Sequence, residues 1–413
     1  MLDIKFIREN PKLVEEKAKQ KGYVIRVEKL LKVDGQRRSL IEEIDHLRSD
    51  RKKAANARDE KRGQQLKKGL KEKEDKLEKL QEEFYVLIRE VPNIPKDDVP
   101  EGIDETDNKV LREVGDKPKL DFKPKDHLEL GIGLDLIDTE RAAKISGSRF
   151  GYLKNEAVIL EFALVQLALE TLSREGFIPI VPPALIKKEI TDHLGYWHGG
   201  GNEEYYWTHE PRENQGLYLI GTAEHSIAPM HMDETFNRKD LPQRYVGFSP
   251  AFRREAGSYG KDTRGIFRVH QFDKVEMVSF VLPQNEDKEH QYLLSLEEKM
   301  VKELGLPYRV VNICTAELGF PTARKYDIEM WLPSQNKYRE THSASTTSDF
   351  QARRLNIKYH NGNEKNYVCI LNATAFAIGR TIIAIMENYQ QKDGSIVVPK
   401  ALQKYTGFTK IPQ

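Results

Sequence analysis

The sequence has only two cysteines among its 413 residues. Cys314 and Cys369 stand 55 positions apart, with no CxxC pair and no cluster of histidines beside them. A zinc framework and a disulfide scaffold are therefore excluded, and two buried thiols remain. The chain also lacks a charge surplus. With 66 Lys and Arg against 65 Asp and Glu, the net charge of +1 excludes a uniformly basic nucleic-acid coat and an acidic tail protein. Any nucleic-acid surface must be local. Long apolar runs are missing as well: the most apolar stretch, 159–172, is broken by Glu161, Gln166 and Glu170, so it reads as an amphipathic helix and no membrane contact is expected. The opening MLDIKFIRENPKL mixes both charges and offers no apolar signal core, so a cytoplasmic location is expected.

Two motif classes are absent. There is no GxxxxGK[ST] loop and no GxGxxG after a strand, so any use of ATP proceeds without a P-loop. The HGGG at 198–201 has the composition of an oxyanion loop, but no GxSxG elbow accompanies it, which leaves a flexible or substrate-closing glycine loop.

The length suits two or three units of ordinary size. Charged residues make up 32% of the chain, above the usual value of about 25%, so part of it must be exposed on many sides. Leu30, Val33, Arg37, Leu40, Ile44, Leu47, Arg51 and Ala54 follow alternating steps of three and four. After a Gly-bearing stretch the stepping resumes at Leu70, Lys73, Leu77, Leu80, Phe84, Leu87 and Val91. These are coiled-coil seats, and two such helices joined by a short turn pack antiparallel as an arm of about 45 Å. Between Arg48 and Lys79 there are 13 Lys or Arg and 7 Asp or Glu, so the outer half of the arm is basic. A solvated face explains helix charge in general, whereas a basic end on a long lever also suits phosphates far from a globular body. Residues 91–107, with three prolines and many acids, read as a linker. Beyond it, strand-like runs alternate with helical segments, which predicts an α+β fold with an antiparallel sheet flanked by helices.

Four segments carry candidate chemistry. The stretch 249–276, SPAFRREAGSYGKDTRGIFRVHQFDKVE, reads as strand, glycine-containing loop, strand. Arg253 and Glu255 share one strand face, as do Phe272, Lys274 and Glu276. A guanidinium fork fits a phosphate, a carboxylate accepts from an exocyclic amine, and a ring stacks on a base. A cross-strand ion pair is the alternative. In ILNATAFAIGRTIIAIMENYQ a helix is expected from about Thr374, apolar nearly all round, so the Arg380 guanidinium needs a carboxylate or a ligand phosphate. In KYRETHSASTTSDFQARR, Glu340 and His342 share a face, and Ser343 joins them only if the strand bulges. In LYLIGTAEHSIAP a strand is expected to present Thr222 and Glu224 together.

Together these segments resemble the three signature motifs of class II aminoacyl-tRNA synthetases, most closely those of the seryl-tRNA synthetases. EGFIPIVPPAL, with Gly176 and Pro183, is similar to the first motif, FRREAGSYGKDTRGIFRVHQFDKVE to the second, and LNATAFAIGRTIIAIMENYQ to the third. The arm is part of the likeness, which covers essentially the whole chain. It implies a class II synthetase fold, with residues 1–100 as a helical domain bearing a tRNA-binding coiled coil and 101–413 as the catalytic domain. It implies a serine–tRNA ligase that uses ATP and Mg2+ and acts on tRNA(Ser) with its long variable arm, with tRNA(Sec) left open as a second acceptor. A homodimer built through the first motif is implied too.

Carried onto this chain, the resemblance implies that Arg253, Arg380 and Glu340 are catalytic. Thr222, Ala223, Glu224, Arg253, Glu276, Asn372 and Thr374 bind serine, with Glu224 or Glu276 facing its ammonium. ATP is held by Arg253, Arg254, Glu255, Val269, Phe272, Glu340, Thr341, His342, Ser343 and Arg380, the metal by Glu340, and tRNA by Arg51, Lys52, Arg58 and Lys61. Two departures stand out. The family usually reads close to ESSCSN where this chain has THSASTT, so Ala344 and Thr346 replace a cysteine and an asparagine, and His225 stands where a small residue is common. Two alternatives remain: a class II paralogue that loads a carrier protein, and a non-catalytic tRNA-binding homologue.

Overall fold

A computed structural model describes residues 1–196, 204–208, 216–256, 262 and 264–412. The HGGG stretch lies outside the described residues. The chain divides into two compact units, Met1–Ile94 and Pro95–Gln413.

The first unit is helical. After two short helices, Ile4–Glu9 and Pro11–Gln20, come α1 (Val27–Asn56) and α2 (Glu60–Arg89), each of 30 residues and so about 45 Å long. Their seam follows the three-four stepping. Leu40, Ile44 and Leu70 are buried together, with Leu47, Leu77 and Leu80 packed against them. Across the seam Arg48 pairs with Glu74 at 2.8 Å, and the Arg37 guanidinium lies 4.4 Å from the centre of the Phe84 ring. The helices reverse at Arg58, which has a φ of 55°, and Asp59 caps α2 by accepting the Arg62 N–H.

The second unit is built on an eight-stranded sheet of β1 (Lys109–Val114), β2 (Ile178–Ile180), β3 (Gln243–Phe252), β4 (Gln271–Val281), β5 (Tyr308–Asn312), β6 (Arg324–Leu332), β7 (Lys337–Thr346) and β8 (Cys369–Ala377). The spatial order is β1-β5-β6-β7-β8-β4-β3-β2, antiparallel throughout except for the β2 and β3 pair. Helices α3 (His127–Gly133), α4 (Glu156–Arg174), α5 (Glu286–Glu303) and α6 (Ile378–Tyr389) complete the frame. In α4, Ala157, Leu160, Ala163, Leu164, Leu167, Ala168 and Leu172 are buried, a stripe at helical spacing. It packs with apolar residues of α5, α6 and one sheet face into the main core. The opposite sheet face carries the polar strand residues described next.

Four sequence expectations change. The segment from Pro95 is no free linker: the Lys96 N–H donates to the Ala323 carbonyl at 3.0 Å, and Val99 is buried with Val311, Ile313 and Leu318. Two apolar residues, Val99 and the exposed Ile103, among acids and prolines leave no periodicity to read. The helix expected from Thr374 begins at Ile378, because Thr374–Ala377 continue β8. Strand β3 stops at Phe252, so Arg253 and Glu255 share no strand face, and Glu255 has a φ of 53°. Glu224 opens a short helix, Glu224–Ile227, beyond the strand that ends at Leu219.

Candidate active site

A cleft opens on the polar sheet face, lined by Arg253, Glu255, Phe267, Arg268, Phe272 and Lys274 on one side and Glu340, Thr341, Ser343, Thr374 and Arg380 on the other, with Val269 beneath. Two β-bulges shape it. Ile328 pairs with His342 and Glu329 with Glu340, leaving Thr341 as the extra residue of β7. Thr374 pairs with Glu276 and Phe376 with Val275, leaving Ala375 as the extra residue of β8. The first bulge turns Glu340, Thr341 and Ser343 to the cleft together.

At one end of the cleft Arg253 follows directly on β3. Its N–H donates to the His270 carbonyl at 2.9 Å, its Nε donates to the Gly221 carbonyl at 3.1 Å, and its guanidinium lies 5.4 Å from the Phe272 ring centre. Glu255 accepts from Arg268 Nη1 at 2.6 Å. Arg380 lies 3.4 Å from the Glu340 carboxylate and also donates to the Glu340 carbonyl at 3.0 Å. Burial pushes Glu340 upward, but Arg380, Lys325 and Arg253 outweigh it and hold the carboxyl at about 2. Among the described lining residues four are cations, Arg253, Arg268, Lys274 and Arg380, and two are anions, Glu255 and Glu340. Lys274 and Arg268 also have Glu276 and Asp262 as partners outside the lining, and the remaining excess suits a polyanion.

The groups beside Arg253 are enclosed. Glu224 is buried and receives the Tyr196 hydroxyl at 2.7 Å and Gln351 Nε2 at 3.0 Å. Burial raises it to about 6, although both donors favour its charged form. Glu276, directly opposite Thr374, forms an ion pair with Lys274. Thr374 and Ser343 bring their hydroxyls to 3.4 Å. The His225 ring lies 4.7 Å from Tyr196 and 5.3 Å from Tyr205, and its Nδ1 accepts the Gly221 N–H at 3.2 Å. Burial and the nearby cations Arg253 and Lys274 lower it to about 3, so it is neutral.

The residues singled out in the sequence therefore fall into three groups. Arg253, Glu255, Val269, Phe272, Glu340, Thr341, Ser343, Thr374 and Arg380 line one cleft. Thr222, Ala223, Glu224, Glu276 and Asn372 are buried, with Asn372 opposite Val278 and Ser345 in the sheet. Arg254 is exposed and outside the cleft lining, and His342 is buried with its ring 5.7 Å from Phe376. Ala344 joins the helix-backed core and the Thr346 hydroxyl donates to Glu286, so both departures in THSASTT face away from the cleft. Sequence reasoning missed Arg268 and Phe267. Arg268 stands four residues before Phe272 in the same segment, a cation in a motif already marked for phosphate, and that was the available signal. In the helical unit Arg51, Lys52, Arg58 and Lys61 are all exposed.

Comparison with known proteins gives a consistent picture. Residues 206–389 match the tRNA synthetase class II core domain (G, H, P, S and T), and residues 1–95 match the seryl-tRNA synthetase N-terminal domain. The chain is 42% identical over its whole length to a serine–tRNA ligase of Dictyoglomus turgidum, covering 99% of that protein. It is 41% identical to the seryl-tRNA synthetase of Pyrococcus horikoshii complexed with ATP, with a TM-score of 0.93 over 100% of this chain and 99% of the other. A cytoplasmic serine–tRNA ligase of Naegleria fowleri in complex with AMP aligns with a TM-score of 0.90 at 33% identity, over 100% of this chain and 99% of that one.

Proposed function

The chain belongs to the seryl-tRNA synthetases of class II, and on that premise we propose how its own residues divide the work. The reaction joins serine to tRNA(Ser) at the expense of ATP. The serine carboxylate attacks the α-phosphorus and pyrophosphate leaves. A terminal ribose hydroxyl of the tRNA then takes the acyl group, and AMP is released. No side-chain nucleophile is required, so catalysis rests on positioning and on charge stabilisation.

Arg253 clamps the α-phosphate and the serine carboxylate, and Arg380 grips the γ-phosphate. In support, both guanidinium groups line the same cleft and leave it with more cations than anions. That convergence carries the reading. Phe272 stacks on adenine, Val269 lines its pocket, and Glu255 accepts from the exocyclic amine. Arg268 shares the polyphosphate, since it lines the cleft and holds Glu255.

Serine sits with its ammonium on Glu224. Glu276 is already balanced by Lys274, whereas the donors to Glu224, Tyr196 and Gln351, are neutral. A buried carboxylate without a balancing cation is the stronger partner for an ammonium. The Thr374 and Ser343 hydroxyls and Asn372 offer polar partners for the serine hydroxyl, which alanine would leave unpaired at a cost on the order of 10⁴ in selectivity. Rejection of threonine relies on shape.

Magnesium fits the donors. Glu340 is held ionised in the same lining as the Ser343 hydroxyl, and hard oxygens of this kind suit the ion. Bound by Glu340, it would supply neutralisation of phosphate charge. The basic arm, through Arg51, Lys52, Arg58 and Lys61, takes the long variable arm of tRNA(Ser) by backbone charge and shape.

The chain works as a homodimer in the cytoplasm. In support, Val181 within the first motif is 84% exposed, and Phe162 on α4, the helix that precedes the motif, is 58% exposed. Light scattering checks this as twice the mass of one chain. No helix among the described residues is long and apolar enough to cross a membrane. Serine-dependent ATP–pyrophosphate exchange, measured across the twenty amino acids, tests the whole assignment. Arg253→Ala and Arg380→Ala should each abolish exchange, and retained exchange overturns the roles given to them.

A further inference from the structure

His127 and Glu387 have no role in the scheme above, yet they form a buried dyad behind the ATP cleft. His127 is the first residue of α3 and 5% exposed. Its backbone N–H, one of the donors a helix start leaves without an internal partner, reaches Glu387 Oε1 at 3.2 Å. Glu387 is fully buried on α6, and its other oxygen accepts the Ser334 N–H at 3.1 Å.

The ring of His127 links this carboxylate to the cleft wall. Its Nε2 accepts the Ile266 N–H at 3.2 Å, so that nitrogen must carry a lone pair and the ring proton sits on Nδ1. Nδ1 lies 3.6 Å from Glu387 Oε1, beyond hydrogen-bond distance, and has no hydrogen-bond partner among the described residues, so Glu387 holds His127 through the backbone N–H. The carboxylate thus fixes the backbone of His127, and the ring in turn holds a third group. Here the third group is a backbone amide.

The approach is close enough to demand glycine next door. Gly265 has a φ of +74°, and a Cβ built on it would lie 2.0 Å from His127 Nε2. Ile266 and Phe267 both line the cleft. The Phe267 carbonyl accepts from Arg380 Nε at 3.4 Å, and the Phe267 ring centre lies 4.8 Å from the Arg380 guanidinium and 4.1 Å from that of Arg339. Arg380 and Glu387 are seven residues apart on α6, about two turns. The helix that carries the arginine therefore also carries the carboxylate that steadies the arginine's backing.

We propose that His127, held by Glu387 through its backbone N–H, is a positioning residue that fixes the Ile266 amide and with it the Ile266–Phe267 segment against which Arg380 is set for the ATP phosphates. The inference rests on the ATP reading of the cleft. It predicts a defect confined to the nucleotide.

The test is pyrophosphate exchange with KM measured separately for ATP and for serine. His127→Asn is too short to reach the Ile266 amide, and loss of one buried hydrogen bond should raise KM for ATP by about tenfold. KM for serine should stay within about twofold, the scatter expected when no contact to that substrate changes. His127→Gln restores an acceptor near the Nε2 position and should recover most of the loss. Gly265→Ala disturbs the same contact from the loop side, should give the same signature, and serves if His127→Asn does not fold. An unchanged KM for ATP, a parallel rise of both KM values, or a glutamine variant no better than the asparagine one overturns the inference. Absence of serine-dependent exchange in the unaltered chain defeats the reading of the cleft instead.

Discussion

Glu224 supplies a pH test of the serine pocket. Buried, and with neutral groups as its hydrogen-bond donors, it is raised to about 6, so lowering the pH through that value protonates the carboxylate offered to the serine ammonium. For a group that must be ionised to bind, kcat/KM for serine falls by the factor 1 + 10^(pKa − pH), which is about twofold at pH 6 and about elevenfold at pH 5. The neighbouring His225 does not confuse the profile, because at about 3 it stays neutral throughout. Tyr196→Phe sharpens the test. Its hydroxyl donates to the carboxylate and favours the ionised form. Removing a hydrogen bond to a charged group costs about 1.5–3 kcal/mol, so the break should move upward by about one to two pH units. The assay is serine-dependent pyrophosphate exchange between pH 5 and 8 at saturating ATP. A flat profile, or a break that moves downward in Tyr196→Phe, refutes the assignment of Glu224 to the ammonium.

Two further outcomes separate the units and probe an unused carboxyl pair. Replacing Arg51, Lys52, Arg58 and Lys61 together by Ala should reduce charging of tRNA(Ser) and flatten its salt dependence while sparing pyrophosphate exchange, and equal loss of both activities would refute that division of labour. Burial, and then Asp273, raise Glu161 to about 8. The folded chain therefore keeps a proton that the unfolded chain releases near 4.5, and the stability this contributes is full below about 4.5 and gone once the pH has risen past about 8. Glu161→Gln should flatten the fall in melting midpoint between pH 5 and 9, whereas curves that stay parallel would count against the pair.

Much of this was legible because it depends on short-range periodicity. Leu40, Ile44 and Leu70 announce the arm through their spacing alone, and the paired seam follows since no other surface can cover both stripes. Phe272, Lys274 and Glu276 likewise alternate in a strand that is regular along its length. The failures share a cause. Thr374–Ala377 are apolar enough for a buried helix, and only pairing with β4, remote in sequence, keeps them extended. The role of His127 was invisible, because its partners Ile266 and Glu387 lie 139 and 260 residues away.

The departures from regular alternation are where the chemistry gathers. In an unbroken β7, Glu340 and Ser343 would point to opposite faces, and the cleft would lose either the carboxylate beside Arg380 or the hydroxyl beside Thr374. The extra residue Thr341 brings both to one side, while Ala375 breaks the ladder just after Thr374, with α6 and Arg380 beginning soon beyond it. Each bulge forgoes ladder pairing, although both extra residues are buried, Thr341 with its hydroxyl donating to the Ile328 carbonyl at 3.2 Å and Ala375 in the main core. The insertions on two adjacent strands bring Glu340, Ser343, Thr374 and Arg380 to the lining of one cleft. Arg253 follows the same logic from the other side, since β3 ends one residue before it and frees its guanidinium from the sheet's alternation. A sequence pattern records regular structure well, so the positions at which a strand must break its own rule are the ones it hides.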